Sequence, residues 1–147
     1  MRYTVYEANE EKVDLDKEIE YLKSYIDLQQ QRFGKNVMFS VQLNEVDDHY
    51  RIEPMLLIPF VENAIKHGTG FMEKPSIDIR LKAEKGKLDF RVKNRYNPNS
   101  HEIKDKTSGI GLSNVKRRLD LLYQNQYQLT ISRNDGWFTV SLQLTLH

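Results

Sequence analysis

The stretch PFVENAIKHG, residues 59–68, decides how the whole chain is interpreted. Its apolar residues are spaced as on a helix, yet four polar side chains fall within about two helical turns: Glu62, Asn63, Lys66 and His67. We predict a helix over residues 54–67, because Pro54 suits a first helical position and Gly68 suits its end. One face of this helix holds five apolar residues that can pack on a sheet: Leu57, Ile58, Val61, Ala64 and Ile65.

The opposite face of the predicted helix carries three polar side chains. Asn63, Lys66 and His67 are spaced i, i+3 and i+4 and therefore share it. It also holds three apolar residues: Leu56, Pro59 and Phe60. An amide oxygen can ligate Mg²⁺, and ammonium and imidazole groups can neutralise or donate to phosphate oxygens. The face therefore suits a metal-bound polyphosphate, and the alternative is an ordinary solvent-exposed face of an amphipathic helix.

A second signal is SGIGLSNVKRRL, residues 108–119, which follows the long polar stretch 95–108. We predict that Gly109 and Gly111 open a helix, one face of which carries four apolar residues: Leu112, Val115, Leu119 and Leu122. Glycine lets a ligand approach the backbone closely, and the N–H groups at a helix start attract phosphate. The alternative is an ordinary loop-to-helix turn. The phosphate-binding interpretation is favoured over it because the same chain also carries the polar face of the predicted helix 54–67.

The rest of the chain predicts an α+β domain. Residues 15–33 show helical spacing, with Asp14 as the N-cap and Gly34 as the stop. Alternation of apolar and polar residues then predicts a strand and two hairpins, at residues 36–43, 77–92 and 129–144. About five strands and three helices favour a single helical layer on one face of a mostly antiparallel sheet.

Composition excludes several classes of protein. The chain has 22 Lys and Arg residues against 21 Asp and Glu, and a net charge of +1 argues against a large nucleic-acid footprint. It has no cysteine, which excludes disulfides and cysteine-based zinc sites. No apolar run approaches the ~20 residues that span a bilayer, and no signal peptide is visible at the start.

Three segments, taken in order, resemble the catalytic ATP-binding (HATPase_c) domain of a two-component sensor histidine kinase of the LytS/YehU type, in the GHKL superfamily. They are LDKEIEYLKSYIDLQQQRFG at 15–34, PMLLIPFVENAIKHG at 54–68 and SGIGLSNVKRRLDLLY at 108–123. The resemblance covers nearly the whole chain. It implies a Bergerat fold, a two-layer α/β sandwich with a mixed sheet. It also implies that ATP lies between the helical layer and a mobile lid at residues 96–108.

The resemblance also assigns roles to single residues. It implies that Asn63 is the Mg²⁺ ligand and that Asn63 and Lys66 are the catalytic residues. Gly109 and Gly111 match the family's second glycine box. The residues expected to bind ATP are Asn63, Lys66, His67, Asn94, Gly109, Gly111 and Leu112.

The sequence departs from the family pattern at two positions. Asn94 stands where the family has an Asp that accepts a hydrogen bond from adenine, and no glycines follow it. An amide oxygen still accepts but lacks charge, so the adenine contact is expected to be weaker, and the alternative is a turn residue at a strand end. Pro59 stands where related ATPases place a general base. Glu62 is adjacent to Asn63 in the sequence, but on a helix it points about 100° away from it. This pattern favours phosphoryl transfer over ATP hydrolysis.

The expected substrate is a histidine that lies outside the recognisable motifs. The chain's four histidines match no phosphoacceptor segment: His49, His67, His101 and His147. Residues 1–13 resemble the tail of a dimerisation and phosphoacceptor region, and residues 14–147 the catalytic domain. We therefore expect a truncated catalytic domain, cytoplasmic, from a membrane-anchored homodimer. Its expected partners are its own dimerisation domain and a response regulator of the LytTR type.

Two other functions compete with this one. The first is a degenerate domain of the same superfamily, with weak or no nucleotide binding, that acts by protein contact; the altered position 94 supports it. The second is a nucleic-acid-binding module that would use Lys116, Arg117 and Arg118 together with Lys93 and Arg95. Charged runs on a helix are usually solvated faces, so no nucleic-acid partner is expected.

Overall fold

Helices and strands follow one another much as the sequence patterns predict. A computed structural model describes residues 12–68, 75–96 and 106–146, with side chains of the last range described from residue 112. The helices are α1 (Leu15–Phe33), α2 (Ile58–Gly68) and α3 (Lys106–Tyr123), and a 3₁₀ turn (Gly34–Asn36) follows α1. The strands are β1 (Val13–Asp14), β2 (Met38–Val46), β3 (Arg51–Ile52), β4 (Ser76–Glu84), β5 (Lys87–Arg95), β6 (Tyr127–Asn134) and β7 (Trp137–Thr145).

The five longer strands form one mixed sheet in the order β2-β4-β5-β7-β6. Strands β2 and β4 are parallel and the other neighbours are antiparallel, while β1 and β3 form a separate antiparallel pair. Alternate residues of the central strands are buried, as in Leu88, Phe90 and Val92 of β5. Helix α2 packs on β4 and β5, so one face of the sheet is covered by helix. The predicted α+β sandwich is confirmed.

Both predicted hairpins are present, and both close with the same backbone geometry. Lys85 and Gly86 have φ of 53° and 79°, and Asp135 and Gly136 have φ of 52° and 80°. Positive φ at both central residues is the type I′ arrangement, whose twist matches that of antiparallel strands. Glycine at the second position adopts this conformation without steric conflict.

Helix α1 begins and ends where predicted, but Asp14 does not act as expected. Asp14 occupies the N-cap position, yet its side chain makes no capping hydrogen bond. The residue belongs to β1 and pairs with Arg51, while the Leu15 N–H donates to the Tyr50 carbonyl oxygen at 2.8 Å. The strand pair therefore satisfies the helix start. At the other end Gly34, with φ of 59°, donates its N–H to the Gln30 carbonyl oxygen.

Helix α2 begins at Ile58, four residues later than the predicted start at Pro54. Residues 54–57 form turns and bends, and Met55 has a φ of 61°, which no helix accommodates. The five predicted sheet-facing residues are all buried. Leu56 and Phe60, expected on the polar face, are also buried, and the Phe60 ring lies edge-on to Phe90 with centroids 6.0 Å apart. Leu56 lies before α2, in the turns, and Phe60 is covered because α2 packs on both the sheet and α3.

Helix α3 begins at Lys106, so the predicted loop over 95–108 is shorter at both ends, since β5 runs to Arg95. Val115 and Leu119 are buried as predicted. Leu122 is 41% exposed, and Tyr123, four residues after Leu119, takes the core position instead. In the part of the chain that is described, no helix is long and apolar enough to cross a bilayer.

Candidate functional site

The predicted polar face lies on the second half of α2, in three different degrees of burial. Asn63 is only 9% exposed, Lys66 is exposed, and His67 is half-buried. An amide oxygen held in a largely buried position has few rotamers available, so it can present a fixed ligand. The exposed ammonium of Lys66 can reach toward a bound anion and still be solvated.

The end of α2 touches the end of β5. A Cβ added to Gly68 would lie 2.6 Å from the Cβ of Asn94 and 3.2 Å from its Nδ2. Only a residue without a side chain permits this approach. The site therefore brings Asn94, which stands at the altered family position, beside the helix that carries Asn63.

Asn94 faces the helical layer and not the solvent. It is 1% exposed and continues the inward row of β5 two residues after Val92. Its Nδ2 donates to the Arg95 carbonyl oxygen at 3.0 Å, which leaves the amide oxygen to act as an acceptor. The local bond suits a residue at a strand end, and the burial suits a residue that contacts a base, so both interpretations keep support.

The two glycines of the second motif lie further into a helix than expected. Gly109 is the fourth residue of α3 and Gly111 the sixth. Only the first four N–H groups of a helix lack an intrahelical partner, so Gly109 is the last of that set and Gly111 lies beyond it. Leu112 is half-buried and packs against the core. Helix α3 packs on α2, which places both motifs in one layer. Residues 97–105 of the predicted lid lie outside the described residues.

The potential ligands of the site fit a metal ion that is bound jointly by the protein and by phosphate oxygens. Among the described residues, no group of three or more His, Asp or Glu side chains could hold a metal ion. Mg²⁺ is commonly bound by one or two protein oxygens together with substrate phosphates and water. One amide oxygen, with an ammonium nearby to neutralise phosphate, is such a set.

One cavity of the described chain lies away from this site. It has a volume of about 620 Å³ and is lined by residues of the β4–β5 hairpin and of the connection from α3 to β6, Lys85 and Gln126 among them. The described residues around it include none of the predicted site residues.

A buried polar cluster behind α2 was not predicted. Glu53, 8% exposed, accepts a hydrogen bond from the Tyr123 hydroxyl at 2.5 Å. Burial raises the pKa of Tyr123, and the bond to Glu53 raises it further. Burial lowers the pKa of Arg118, while the charges of Glu53 and Glu18 oppose that shift. The cluster joins α1, α3 and the segment that leads into α2.

One sequence signal could have revealed this cluster. Glu18 lies on the apolar stripe of α1, between Leu15 and Leu22, and is 1% exposed. A carboxylate on a buried stripe requires a partner, because an isolated buried charge is strongly unfavourable. The partners lie far away in the chain, so the sequence could predict that they exist but not which residues they are.

Comparisons with known proteins agree with the fold and its motifs. A family model described as "GHKL domain" matches residues 55–145, and one described as "Histidine kinase" matches residues 1–37. The sensor protein LytS of Oceanobacillus iheyensis is 28% identical over 92% of this chain. A sensor-like histidine kinase of Staphylococcus epidermidis is 30% identical over 99% of it. The chain spans 25% and 30% of the length of these two relatives.

Solved structures show the same architecture. The nucleotide-free catalytic domain of the histidine kinase ThkA has a TM-score of 0.65 at 19% identity, over 92% of this chain and 95% of that one. Full-length ShkA in complex with AMPPNP has a TM-score of 0.63 at 12% identity, over 92% of this chain and 31% of that one. At such identities the likeness shows the fold alone.

Proposed function

The chain belongs to the GHKL domain family of sensor histidine kinases, and on this premise we propose that it binds Mg²⁺-ATP where α2 meets β5 and α3. The observation that carries the proposal is the junction of Gly68 with Asn94, which joins the predicted phosphate-facing helix to the predicted adenine-facing strand end. A solved structure of the same fold holds the ATP analogue AMPPNP, which supports a nucleotide as the ligand class.

Each residue of the site has a role that its chemistry allows. Asn63 would hold Mg²⁺ through its amide oxygen, and Lys66 would neutralise phosphate charge. His67 would contact phosphates from the side of the helix. Asn94 would accept a hydrogen bond from the adenine amino group. ATP supplies the phosphoryl group, and Mg²⁺ offsets the charge that develops on it during transfer.

The proposed reaction is transfer of the γ-phosphoryl group to a histidine of an upstream dimerisation domain, and not hydrolysis. Hydrolysis needs a group that positions or activates water. Pro59 cannot take up a proton, and Glu62 is exposed on a different side of α2 from the largely buried Asn63. A histidine nucleophile from another domain removes the need for such a base.

The partners of the whole protein follow from the same proposal. A homodimer would present the phosphoacceptor histidine, and a response regulator, of the LytTR type, would receive the phosphoryl group from it. We place this domain in the cytoplasm and the complete protein at the cell membrane.

Substitution of Asn63 tests the site directly. Asn63→Ala should weaken Mg²⁺-ATP binding at least about tenfold, because it removes the only proposed protein ligand of the metal. Isothermal calorimetry at constant Mg²⁺ measures the affinity, and a thermal scan shows whether the fold is retained. Asn125→Ala, at an exposed asparagine between α3 and β6, is the matched control and should bind as the natural chain does. Equal affinity in Asn63→Ala would remove Asn63 from the site.

The same titration decides between the proposal and the degenerate domain. That alternative draws on Asn94 in place of an acidic residue. A natural chain that binds no Mg²⁺-ATP at millimolar concentration would favour a domain that acts by protein contact alone.

A further inference from the structure

Residues 53–57 connect β3 to α2, and the first three of them, the 53–55 segment, have an unusual backbone. Met55 has a φ of 61°, a conformation that side chains other than glycine, asparagine and aspartate rarely adopt. Its N–H donates to the Glu18 carboxylate of α1, with Met55 N to Glu18 Oε1 at 3.0 Å. Glu18 is 1% exposed, so this bond is made away from water. Helix α1 therefore holds the strained end of the segment.

Helix α3 holds the other two residues of the segment. Arg118 donates from Nη2 to the Pro54 carbonyl oxygen at 2.8 Å. The Tyr123 hydroxyl donates to Glu53 Oε1 at 2.5 Å, and both side chains are buried. Each residue of the segment thus makes a hydrogen bond with a different side chain of another helix: Met55 donates, whereas Glu53 and Pro54 accept. These partners lie 37, 64 and 70 residues away in the chain.

The segment ends two residues before the helix that carries the candidate site. Helix α2 begins at Ile58 and Asn63 lies in its second turn. Because a helix moves as a rigid element, a shift of the 53–55 segment would be carried to Asn63 and to the contact of Gly68 with Asn94. Glycine at position 68 leaves no spare space there, so a small shift of α2 would change the geometry of the site.

We propose that Glu18, Arg118 and Tyr123 are positioning residues, which hold the 53–55 segment and thereby keep α2 in the orientation that binds nucleotide. The inference rests on the proposed function, because nucleotide affinity is the property that the three residues control. Helix α1 lies next to the region that precedes the domain, and α3 carries the second glycine motif. Under this proposal both helices can change the affinity for nucleotide at Asn63 without contacting the ligand.

Selection for stability alone would not favour a buried carboxylate at position 18. Glu18 lies among the buried residues Leu15, Ile19 and Leu22, where an apolar side chain would pack without desolvating a charge. Buried ionic groups are in some systems retained because they select one conformation over others. Here the selected conformation is the left-handed Met55 and the helix direction that follows from it.

Four variants of the 147-residue chain test the inference. Tyr123→Phe removes one hydroxyl and Glu18→Ala removes the acceptor for Met55, while Glu18→Gln keeps an acceptor oxygen. Tyr127→Phe is the matched control, because Tyr127 donates to Asp120 of α3 by the same chemistry on the exposed side of that helix.

The first readout is Mg²⁺-ATP affinity by calorimetry, at a temperature at which circular dichroism shows every variant folded. Glu18→Ala and Tyr123→Phe should each bind about threefold to thirtyfold more weakly, the range typical of residues that act through coupling. Glu18→Gln should recover most of the affinity, and Tyr127→Phe should bind within about twofold of the natural chain. A purely structural role would predict equal affinity among folded variants.

The second readout does not involve nucleotide. Amide hydrogen exchange of the ligand-free chain should become faster in α2 in Glu18→Ala and Tyr123→Phe, with exchange in β6 and β7 unchanged. The double variant should lose less affinity than the sum of the two single losses, because both act on one segment.

The outcomes separate this inference from the proposed function. A natural chain that binds no Mg²⁺-ATP overturns the proposed function, and the claim about affinity falls with it, while hydrogen exchange still decides whether the Glu18 and Tyr123 side chains hold α2. A natural chain that binds, with Tyr123→Phe and Glu18→Ala binding equally well and exchanging equally slowly, overturns the inference and leaves the function standing. Tyr123→Phe decides the matter alone if Glu18→Ala does not fold.

Discussion

At the scale of single residues, the contact between Gly68 and Asn94 leaves no space for a larger side chain at position 68. A Cβ at position 68 would approach the Cβ of Asn94 to 2.6 Å, closer than real Cβ contacts come. Both residues are buried, so neither can move into solvent to relieve the conflict. The absent side chain at position 68 is therefore what allows a buried amide from β5 to stand beside the helix that bears Asn63.

Adding one methyl group at this contact should disturb both folding and binding. Gly68→Ala should lower the free energy of unfolding by about 1 to 3 kcal/mol, as expected for an overpacked core position. It should also weaken Mg²⁺-ATP binding, since α2 or the end of β5 must shift. Urea unfolding and calorimetry measure the two effects.

The double variant Gly68→Ala with Asn94→Gly provides the control for that prediction. Removal of the Asn94 side chain makes space for the added methyl group, so the two changes should cost less together than the sum of their separate costs. Strictly additive costs would mean that the loss in Gly68→Ala arises elsewhere than at this contact.

At the scale of secondary-structure elements, one carboxylate links the β2–β3 connection to the β4–β5 hairpin. Asp47 Oδ2 accepts the Lys85 N–H at 3.1 Å, and Oδ1 accepts a bond from the Tyr50 hydroxyl. The Tyr50 oxygen in turn accepts the Gly86 N–H at 3.1 Å. These bonds lower the pKa of Asp47, with Tyr50 as the largest cause. The type I′ turn is thus held by a neighbouring connection as well as by its own backbone.

The lowered pKa of Asp47 predicts how stability depends on pH. A carboxyl group with a depressed pKa in the folded state contributes stability that is fully present above its unfolded pKa of about 3.9. That contribution is lost as the pH falls through the lower folded value. Asp47→Asn should therefore be less stable than the natural chain at neutral pH and should lose less stability on acidification from about pH 4.

Urea midpoints at neutral and acidic pH measure this difference. Asp135→Asn, in the other hairpin turn, is the control, because asparagine tolerates the positive φ of that position and should leave the pH profile unchanged. An Asp47→Asn profile parallel to that of the natural chain would show that the Asp47 bonds do not stabilise the fold.

At the scale of the whole molecule, the proposed function divides the requirements of phosphoryl transfer between two domains. Under that proposal Asn63 and Lys66 would position a phosphoryl donor and neutralise its charge. The nucleophile is a separate requirement. His67 is half-buried on α2, and under the proposed function it would contact phosphates from the side of the helix and would not attack in line.

This division predicts the labelling behaviour of the chain. Incubated alone with γ-labelled ATP, it should gain no acid-labile label, whereas a separately supplied dimerisation domain of the complete protein should become labelled. Transfer should be slow, because a covalent connection that raises effective concentration is missing between two separate chains. Acid-labile label on the chain alone would contradict the prediction, and His67→Gln would then be the first variant to measure.

Local patterns were enough to predict the helices, the hairpins and the polar residues of α2, because periodicity and turn chemistry act within a few residues. They predicted the α1 boundaries, the two hairpins and the burial of Val61 and Ile65. They were wrong about where α2 and α3 begin, and for α2 a contact from α1 accounts for the later start. The Met55 N–H goes to Glu18, so residues 54–57 do not join the helix.

Only the tertiary structure decided which distant residues meet. Asn94 and Gly68 are separated by β4 and the hairpin turn, and no local pattern shows that one lies against the other. Glu53 and Tyr123 are 70 residues apart, and the sequence contains nothing that pairs them. The physical reason is that burial selects partners by proximity in the folded core, where an unsatisfied carboxylate is costly. Chemistry can therefore be recognised from residue types, while its geometry depends on packing between elements.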